Sequence, residues 1–315
     1  MTISTSRLDD AARAAWLYYV AGNTQDEIAS KLGVSRQSAQ RLVSLASTEG
    51  LVKVRIDHPI AHCLTLAQEL RQRGGLEFVE IVPTDPASDS TTLGIAQAAG
   101  AEIERWLRRS EPTVIGIGTG RTLKAAIEQL PSIESPQHKV VSLTGSIAPD
   151  GSAAFYNVVF TMADTVKSRA FPLPLPVIAS SRRERDMLQS QPMIRSTLEL
   201  GSQADVAFLG VGDFEDDAPL YMDGFISQAE LKELQAAGAV GEIIGWAFDA
   251  RGQLLEGMTN DRVASSPLPD LGRCRVIATA MGKRKLPAIR AAIRGKLING
   301  LVTDEATAQA LIETL

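Results

Sequence analysis

Two cysteines and three histidines in 315 residues leave little material for a disulfide framework or a metal centre. Cys63 and Cys274 lie far apart and form no CxxC pair, so neither a bridge nor a metal cofactor is implied. His58, His62 and Cys63 do cluster, yet no fourth ligand or zinc-ligand spacing accompanies them, and a linker helix accounts for all three. No window approaches 18 uncharged apolar residues, and the opening MTISTSRLDD lacks the apolar centre of a signal peptide. A cytoplasmic protein without a membrane partner is expected. The G-K-[ST] ending of a phosphate-binding Walker loop is missing, as is a full dinucleotide fingerprint, which argues against nucleotide hydrolysis and NAD binding. No fixed internal repeat is evident, and no cofactor is called for.

What is present is ordinary globular material, 44% hydrophobic and 22% charged, enough for one large domain or two unequal ones. The net charge of -5 is unevenly divided, with +2 on residues 1–56 and -7 on the remainder. That polarity has the sign a nucleic-acid contact needs, although scatter of charge between two domains would produce the same difference.

Local periodicity is more informative. Leu8, Ala11, Ala12, Ala15, Trp16, Tyr19 and Val20 recur at helical spacing until Gly22 stops the run. Thr24 can cap a second helix with Glu27 as its reciprocal partner, and Ile28, Ala29 and Leu32 form the buried face before a turn at Gly33. Ser35 caps a third helix whose Ala39, Leu42, Val43 and Ala46 face inward, leaving Arg36, Gln37, Ser38, Gln40 and Arg41 outside. Arg pairs bidentately with guanine and Gln with adenine in the major groove, while hydroxyls and helix N-termini hold phosphates. Gly50 should end this helix. LVKVRI at Leu51–Ile56 then alternates apolar and basic residues, as a wing strand would, with Lys53 and Arg55 outward. Residues 1–56 are thus expected to be a winged helix-turn-helix that contacts operator DNA through Thr24, Gln25, Ser35, Arg36, Gln37, Ser38, Gln40, Arg41 and Lys53. A three-helix structural or protein-binding bundle would share the pattern.

Residues 57–75 read as a connecting helix, with Ile60, Cys63, Ala67 and Leu70 at 3-4-3 spacing and a stop at Gly74 and Gly75. It serves either as a short coiled coil or as a helix lying on the next domain. Residues 76–315 then alternate apolar runs with amphipathic segments in the βα rhythm of a mostly parallel sheet. Strands are expected at FVEIV, TVIGIG, KVVSLTGS, LPVIAS, DVAFLGVG, EIIGWAF, RVIATAM and INGLV. Helices are expected near Thr91 to Arg109, Leu123 to Leu130, Asn157 to Ala170, Glu184 to Leu200, Gln228 to Ala237, Lys285 to Lys296 and Asp304 to Leu315. The predicted architecture is α/β, a Rossmann-like open sheet behind the helical module.

Within it, VIGIGTGRTL runs a strand through a Gly-Thr-Gly turn into a helix, so backbone N–H groups and the helix dipole point at whatever anion or sugar oxygen sits there. LTGSIAPDG and FLGVGDF repeat the arrangement of glycine and polar residues beyond a strand, where open α/β sheets bind ligands. Tight-turn glycines alone would also explain each motif. The candidate effector residues are Gly118, Thr119, Gly120, Arg121, Thr122, Gly145, Ser146, Asp213, Asn260 and Lys285.

TQDEIASKLGVSRQSAQRLV, GIGTGRTL, GVGDF, GEIIGWAFDARG, Asn260 to Arg262 and AMGKRKLPAIRAAIRGKLINGLVTDEATAQALI together resemble the SorC family of sugar-sensing, DeoR-like transcriptional regulators over nearly the whole chain. The resemblance implies a large domain like the sugar-phosphate isomerase and deaminase fold, used as a sensor, and self-association as a homodimer or homotetramer. It also implies that Gly118 to Thr122 and Lys285 hold an anionic end of the effector, with Asp213 and Asn260 near its hydroxyls or ring. A phosphorylated sugar or polyol is the first expectation. Met281 departs from the glycine more usual before Gly282. An enzyme on the same fold is the alternative, with Asp213, Asp216 and Asp217 as candidate bases, but the deaminase signature GxGxDGHxAFNEP is absent and an attached DNA reader favours sensing.

Overall fold

The computed structural model describes residues 5–49, 51–52, 60–84, 92–148, 151–152 and 158–315. Contacts divide the chain into two compact units, Met1–His58 and Pro59–Leu315.

The first unit holds α1 (Thr5–Ala15), α2 (Gln25–Leu32) and α3 (Arg36–Thr48). The periodic run to Val20 stays helical, but its end, Trp16–Val20, widens into a π turn in which the Ala21 N–H reaches back five residues to the Trp16 carbonyl. Thr24 and Glu27 form the reciprocal capping box, Gly33 closes α2 at φ 65°, and the Ser35 hydroxyl accepts the Ser38 N–H at 3.2 Å. Ala14, Ile28, Ala29, Ala39 and Val43 make the core, and small Ala11, Ala15 and Ala46 form a second cluster. Leu51 and Val52 are not in a strand; Gly50 and the rest of the expected wing, including Lys53 and Arg55, lie outside the described residues.

The second unit opens with α4 (Ala61–Gly74), whose Cys63, Leu66 and Leu70 are buried in one cluster with β1 (Phe78–Val82). Leu66 is buried beside Cys63 and Leu70, whereas the expected inward Ala67 is only partly buried and Ile60 is exposed at the helix start. There follow α5 (Thr92–Leu107), β2 (Val114–Ile117), α6 (Arg121–Glu128), β3 (Lys139–Ser142), α7 (Val159–Val166) and β4 (Arg169–Phe171). Next come α8 (Arg182–Gln189), α9 (Pro192–Ser202), β5 (Val206–Leu209), α10 (Pro219–Met222), α11 (Gln228–Ala236), β6 (Ala239–Ile243) and β7 (Trp246–Asp249). The chain ends with β8 (Arg275–Thr279), α12 (Leu286–Arg294), β9 (Gly300–Asp304) and α13 (Glu305–Thr314).

Seven strands form a parallel sheet in the order β1-β9-β8-β5-β2-β3-β4. Both faces are buried, which is why its strands read as continuous apolar runs. On β5, Ala207 and Leu209 join the cluster with α4, α12 and α13, whereas Val206 and Phe208 join the one with α5, α6 and α7. From β2 the chain progresses outward through β3 and β4 on one side and through β5, β8 and β9 on the other. The boundary between β2 and β5 is therefore the point where strand order reverses, and open α/β sheets leave a crevice beyond the carboxyl ends there.

Four expected elements come out differently. LPVIAS adds no strand, because Pro172, Pro174 and Pro176 interrupt FPLPLPVIAS and remove the N–H groups a ladder needs; only isolated bridges form, at Ile147–Pro176 and Ile178–Val263. The fourth strand is instead Arg169–Phe171, at the end of the predicted helix to Ala170, since Lys167 adopts φ 53° and stops α7. EIIGWAF is a hairpin outside the main sheet: Ile244 and Gly245, at φ 47° and 93°, form a two-residue turn that pairs β6 with β7. The helix predicted from Glu184 to Leu200 is two, broken where Pro192 starts α9. Among the described residues no helix is long and apolar enough to cross a membrane.

Candidate functional site

Four adjacent strand ends meet at the carboxyl edge around the reversal point. β2 supplies Gly118, Thr119 and Gly120; β3 supplies Thr144, Gly145 and Ser146; β5 supplies Gly210 to Asp213; β8 leads to Gly282 and the basic triplet Lys283, Arg284 and Lys285. The Gly118 N–H donates to the Phe208 carbonyl at 2.9 Å and carries the β2–β5 pairing to the edge. Gly120 then turns at φ 129°, with open space where a Cβ would project, and starts α6 without a side-chain cap. The first N–H groups of α6 are thus not covered by a capping side chain, beside exposed Arg121 and half-buried Thr122.

Asp213, only 4% exposed, is anchored through one oxygen. Its Oδ1 accepts Arg284 Nε at 3.0 Å, Arg284 Nη2 at 2.7 Å and the Glu215 N–H at 3.2 Å. Arg284 Nη1 also lies 2.6 Å from Asp217 Oδ1, and this bond holds the Asp217 carboxyl below its usual range. Glu242, on β6, packs against Gly212, where any side chain would collide with its carboxylate. Backbone bonds of 2.9 and 3.2 Å join the two residues, and Glu242 Oε2 accepts the Gly245 N–H at 2.7 Å. Burial pushes the Glu242 carboxyl up. Burial likewise pulls the half-buried Lys285 ammonium down, against the opposing pull of Asp213 and Glu242.

Of the expected effector residues, Gly118 to Thr122, Asp213 and Lys285 gather at this crevice. Three others are occupied elsewhere. A side chain at Gly145 would strike the Pro176 carbonyl, and the Gly145 N–H donates to Ser265 Oγ at 3.2 Å. The Ser146 hydroxyl donates to the Leu173 carbonyl at 2.9 Å, so this turn packs the proline-rich segment. Asn260 uses both amide hydrogens on the carbonyls of Ala247 and Leu255, each at 2.8 Å, and its Oδ1 accepts the Ala247 N–H at 2.8 Å. Its expected effector contact is thereby replaced by a hold on β7. Sequence reasoning misses Arg284 and Glu242. Their only signals are an arginine inside a basic triplet after a glycine and a lone acid in the apolar run AVGEI.

In the first unit, the expected DNA-facing residues divide by what their side chains already do. Thr24 Oγ1 is engaged with Glu27, and the hydroxyls of Ser35 and Ser38 lie 2.9 Å apart at the start of α3. Gln25 is half-buried, whereas Arg36, Gln37, Gln40 and Arg41 are exposed. Arg36 makes a loose, solvent-exposed pair with Asp26 at 3.6 Å, the kind that contributes little and is readily exchanged.

Known proteins resemble this chain along nearly its whole length. A family model described as a putative sugar-binding domain matches residues 58–313. The erythritol catabolism regulatory protein EryD of Brucella abortus (strain 2308) is 33% identical over 302 residues, covering 96% of each protein. The transcriptional regulator LsrR of Enterobacter sp. (strain 638) is 31% identical, covering 96% of this chain and 92% of its own. The crystal structure of the full-length sorbitol operon regulator SorC from Klebsiella pneumoniae superposes with a TM-score of 0.71 at 25% identity, over 98% of this chain and 100% of that one. The chain belongs to the SorC/DeoR family of sugar-binding transcriptional regulators. Its relatives are named as regulators rather than enzymes.

Proposed function

We propose that the first unit is a winged helix-turn-helix that reads operator DNA with α3, and that the crevice at the β2–β5 boundary binds the small sugar, polyol or sugar phosphate that controls it. The observation that carries this reading is the pairing, in one chain, of an exposed Arg-Gln face on the capped α3 with an α6 that has no side-chain cap and whose Arg121 lies within electrostatic reach of Lys285. Arg36, Gln37, Gln40 and Arg41 contact bases and phosphates; Ser35 and Ser38 fix the start of the reading helix, and Lys53 adds a phosphate contact from the wing. Gly118 to Thr122 and Lys285 form one side of the effector site and Asp213 the other. The relatives named for erythritol catabolism and for a sorbitol operon favour an effector rich in hydroxyls. The regulator works in the cytoplasm as a homodimer or homotetramer on a two-fold symmetric site, with association through residues 57–315. The test is a footprint on the promoter adjoining its own gene, repeated with a panel of sugars, polyols and their phosphates. A protected pseudo-palindrome altered by one such compound is expected; no protection at any salt concentration would remove the DNA-reading assignment.

A further inference from the structure

The groups still open to a ligand in the crevice are unequal in kind. Asp213 Oδ1 is filled by Arg284 and Glu215, while Oδ2 has no partner among the described residues. Glu242 Oε2 takes the Gly245 N–H, and Oε1 has none. Lys285 Nζ, half-buried and within electrostatic reach of these two carboxylates, makes no hydrogen bond among the described residues. The cations, by contrast, are largely spoken for. Arg284 is clamped by Asp213 and Asp217 together, and exposed Arg121 lies within electrostatic reach of Asp217 and Asp223.

We infer that the crevice selects an uncharged polyol or sugar over its phosphate ester, with Asp213 Oδ2 and Glu242 Oε1 accepting two ligand hydroxyls and Lys285 donating to a third oxygen. This rests on the reading that the effector binds at these strand ends. Hydroxyls can donate to carboxylates, and such charge-assisted bonds are among the strong ones. Phosphate oxygens cannot, and a dianion placed here would stand against the carboxylates of Asp213 and Glu242 in a partly desolvated site. The N-terminus of α6, started by Gly120 without a side-chain cap, suits a hydroxyl or carbonyl oxygen as well as a phosphate. The phosphate expected from the glycine turn and Lys285 alone therefore gives way once two carboxylates with unpartnered oxygens stand within electrostatic reach of that lysine.

The test is calorimetric titration of the full-length protein with matched pairs, erythritol against erythritol 4-phosphate and sorbitol against sorbitol 6-phosphate, and with inorganic phosphate. At least one neutral member should bind about tenfold or more tightly than its phosphate ester, and Glu242→Gln should weaken that neutral ligand by about tenfold. Asp213→Asn, which keeps the shape, is the second variant and should act in the same direction. A phosphate ester that outbinds its parent polyol, and is lost in Lys285→Ala, would overturn the selectivity while leaving the site in place. Failure of both neutral members to bind at millimolar concentration would also overturn it. Neutral binding untouched by Lys285→Ala and Gly120→Val would overturn the location of the site and the inference with it.

Discussion

Asn260 holds Ala247 as a neighbouring strand would: its Nδ2 donates to the Ala247 carbonyl and its Oδ1 accepts the Ala247 N–H, both at 2.8 Å. Asn260 is buried, so removal of the amide leaves β7 with unmet polar groups that water cannot easily reach. Asn260→Ala should cost about 1–3 kcal/mol of stability, read as a lower midpoint in urea with an unchanged slope. An unchanged midpoint would restore Asn260 to the list of effector contacts.

The face of α3 makes a separable claim. Arg36→Ala should weaken specific operator binding by about 1–3 kcal/mol and relax the preference at one base position, while Lys53→Ala should weaken all sequences alike and flatten the salt dependence. Fluorescence anisotropy on operator and scrambled duplexes distinguishes the two. Wild-type operator affinity in an Arg36, Gln37 and Gln40 triple-alanine variant would take α3 out of the reading role.

At the proposed effector crevice, Lys285→Ala removes a charged donor and should cost roughly 1.5–3 kcal/mol of ligand binding, about ten- to a hundredfold. Gly120→Val should also weaken binding, by straining a backbone at φ 129° and filling the open approach to α6. Titrating each variant with the tightest compound from the panel tests both.

Glu102 gives a pH signature. It is 3% exposed, with Oε1 accepting Trp106 Nε1 at 3.0 Å and Oε2 paired with Arg105 at 2.7 Å. Burial raises its carboxyl above the usual 4.5, and Arg105 pulls the other way. A raised acid binds its proton more tightly in the folded state, so its contribution is present below the unfolded value and lost as pH rises through the folded one. The stability of Glu102→Gln relative to wild type should therefore increase between about pH 4 and pH 7. A difference between the two proteins that stays constant across that range would reject the assignment.

Much of this molecule is readable from spacing because the responsible forces are local. The capping box at Thr24, the stop at Gly33 and the two-sided apolar strands each depend on residues a few positions apart. Arg169–Phe171 was hidden because nothing short-range distinguishes an edge strand of three residues from the end of the preceding helix; β3 decides it. The hairpin at Ile244 was legible in principle through Gly245, but the apolar run masked the turn. The crevice was half legible. Glycines past strands mark it, whereas Arg284 and Glu242 reach Asp213 and Gly212 only through the fold. Gly145 illustrates the opposite error, a glycine required by a crossing backbone and read as a ligand cradle.

β1 is an edge strand, and its sole neighbour in the sheet is β9, paired from Phe78–Gly300 to Val82–Asp304. During synthesis β1 must therefore wait for a partner made more than two hundred residues later, while α4, which packs with β1 and α13, waits beside it. At roughly 5–20 residues per second that is an interval of tens of seconds. The three helices of the first unit need only one another and can close as soon as they emerge. The birth order of the protein is then first unit before second, with Cys63, Leu66 and Leu70 as the apolar surface awaiting cover. A nascent chain stalled before Gly300 would present that surface to chaperones, and loss of the final sixteen residues would make the exposure permanent.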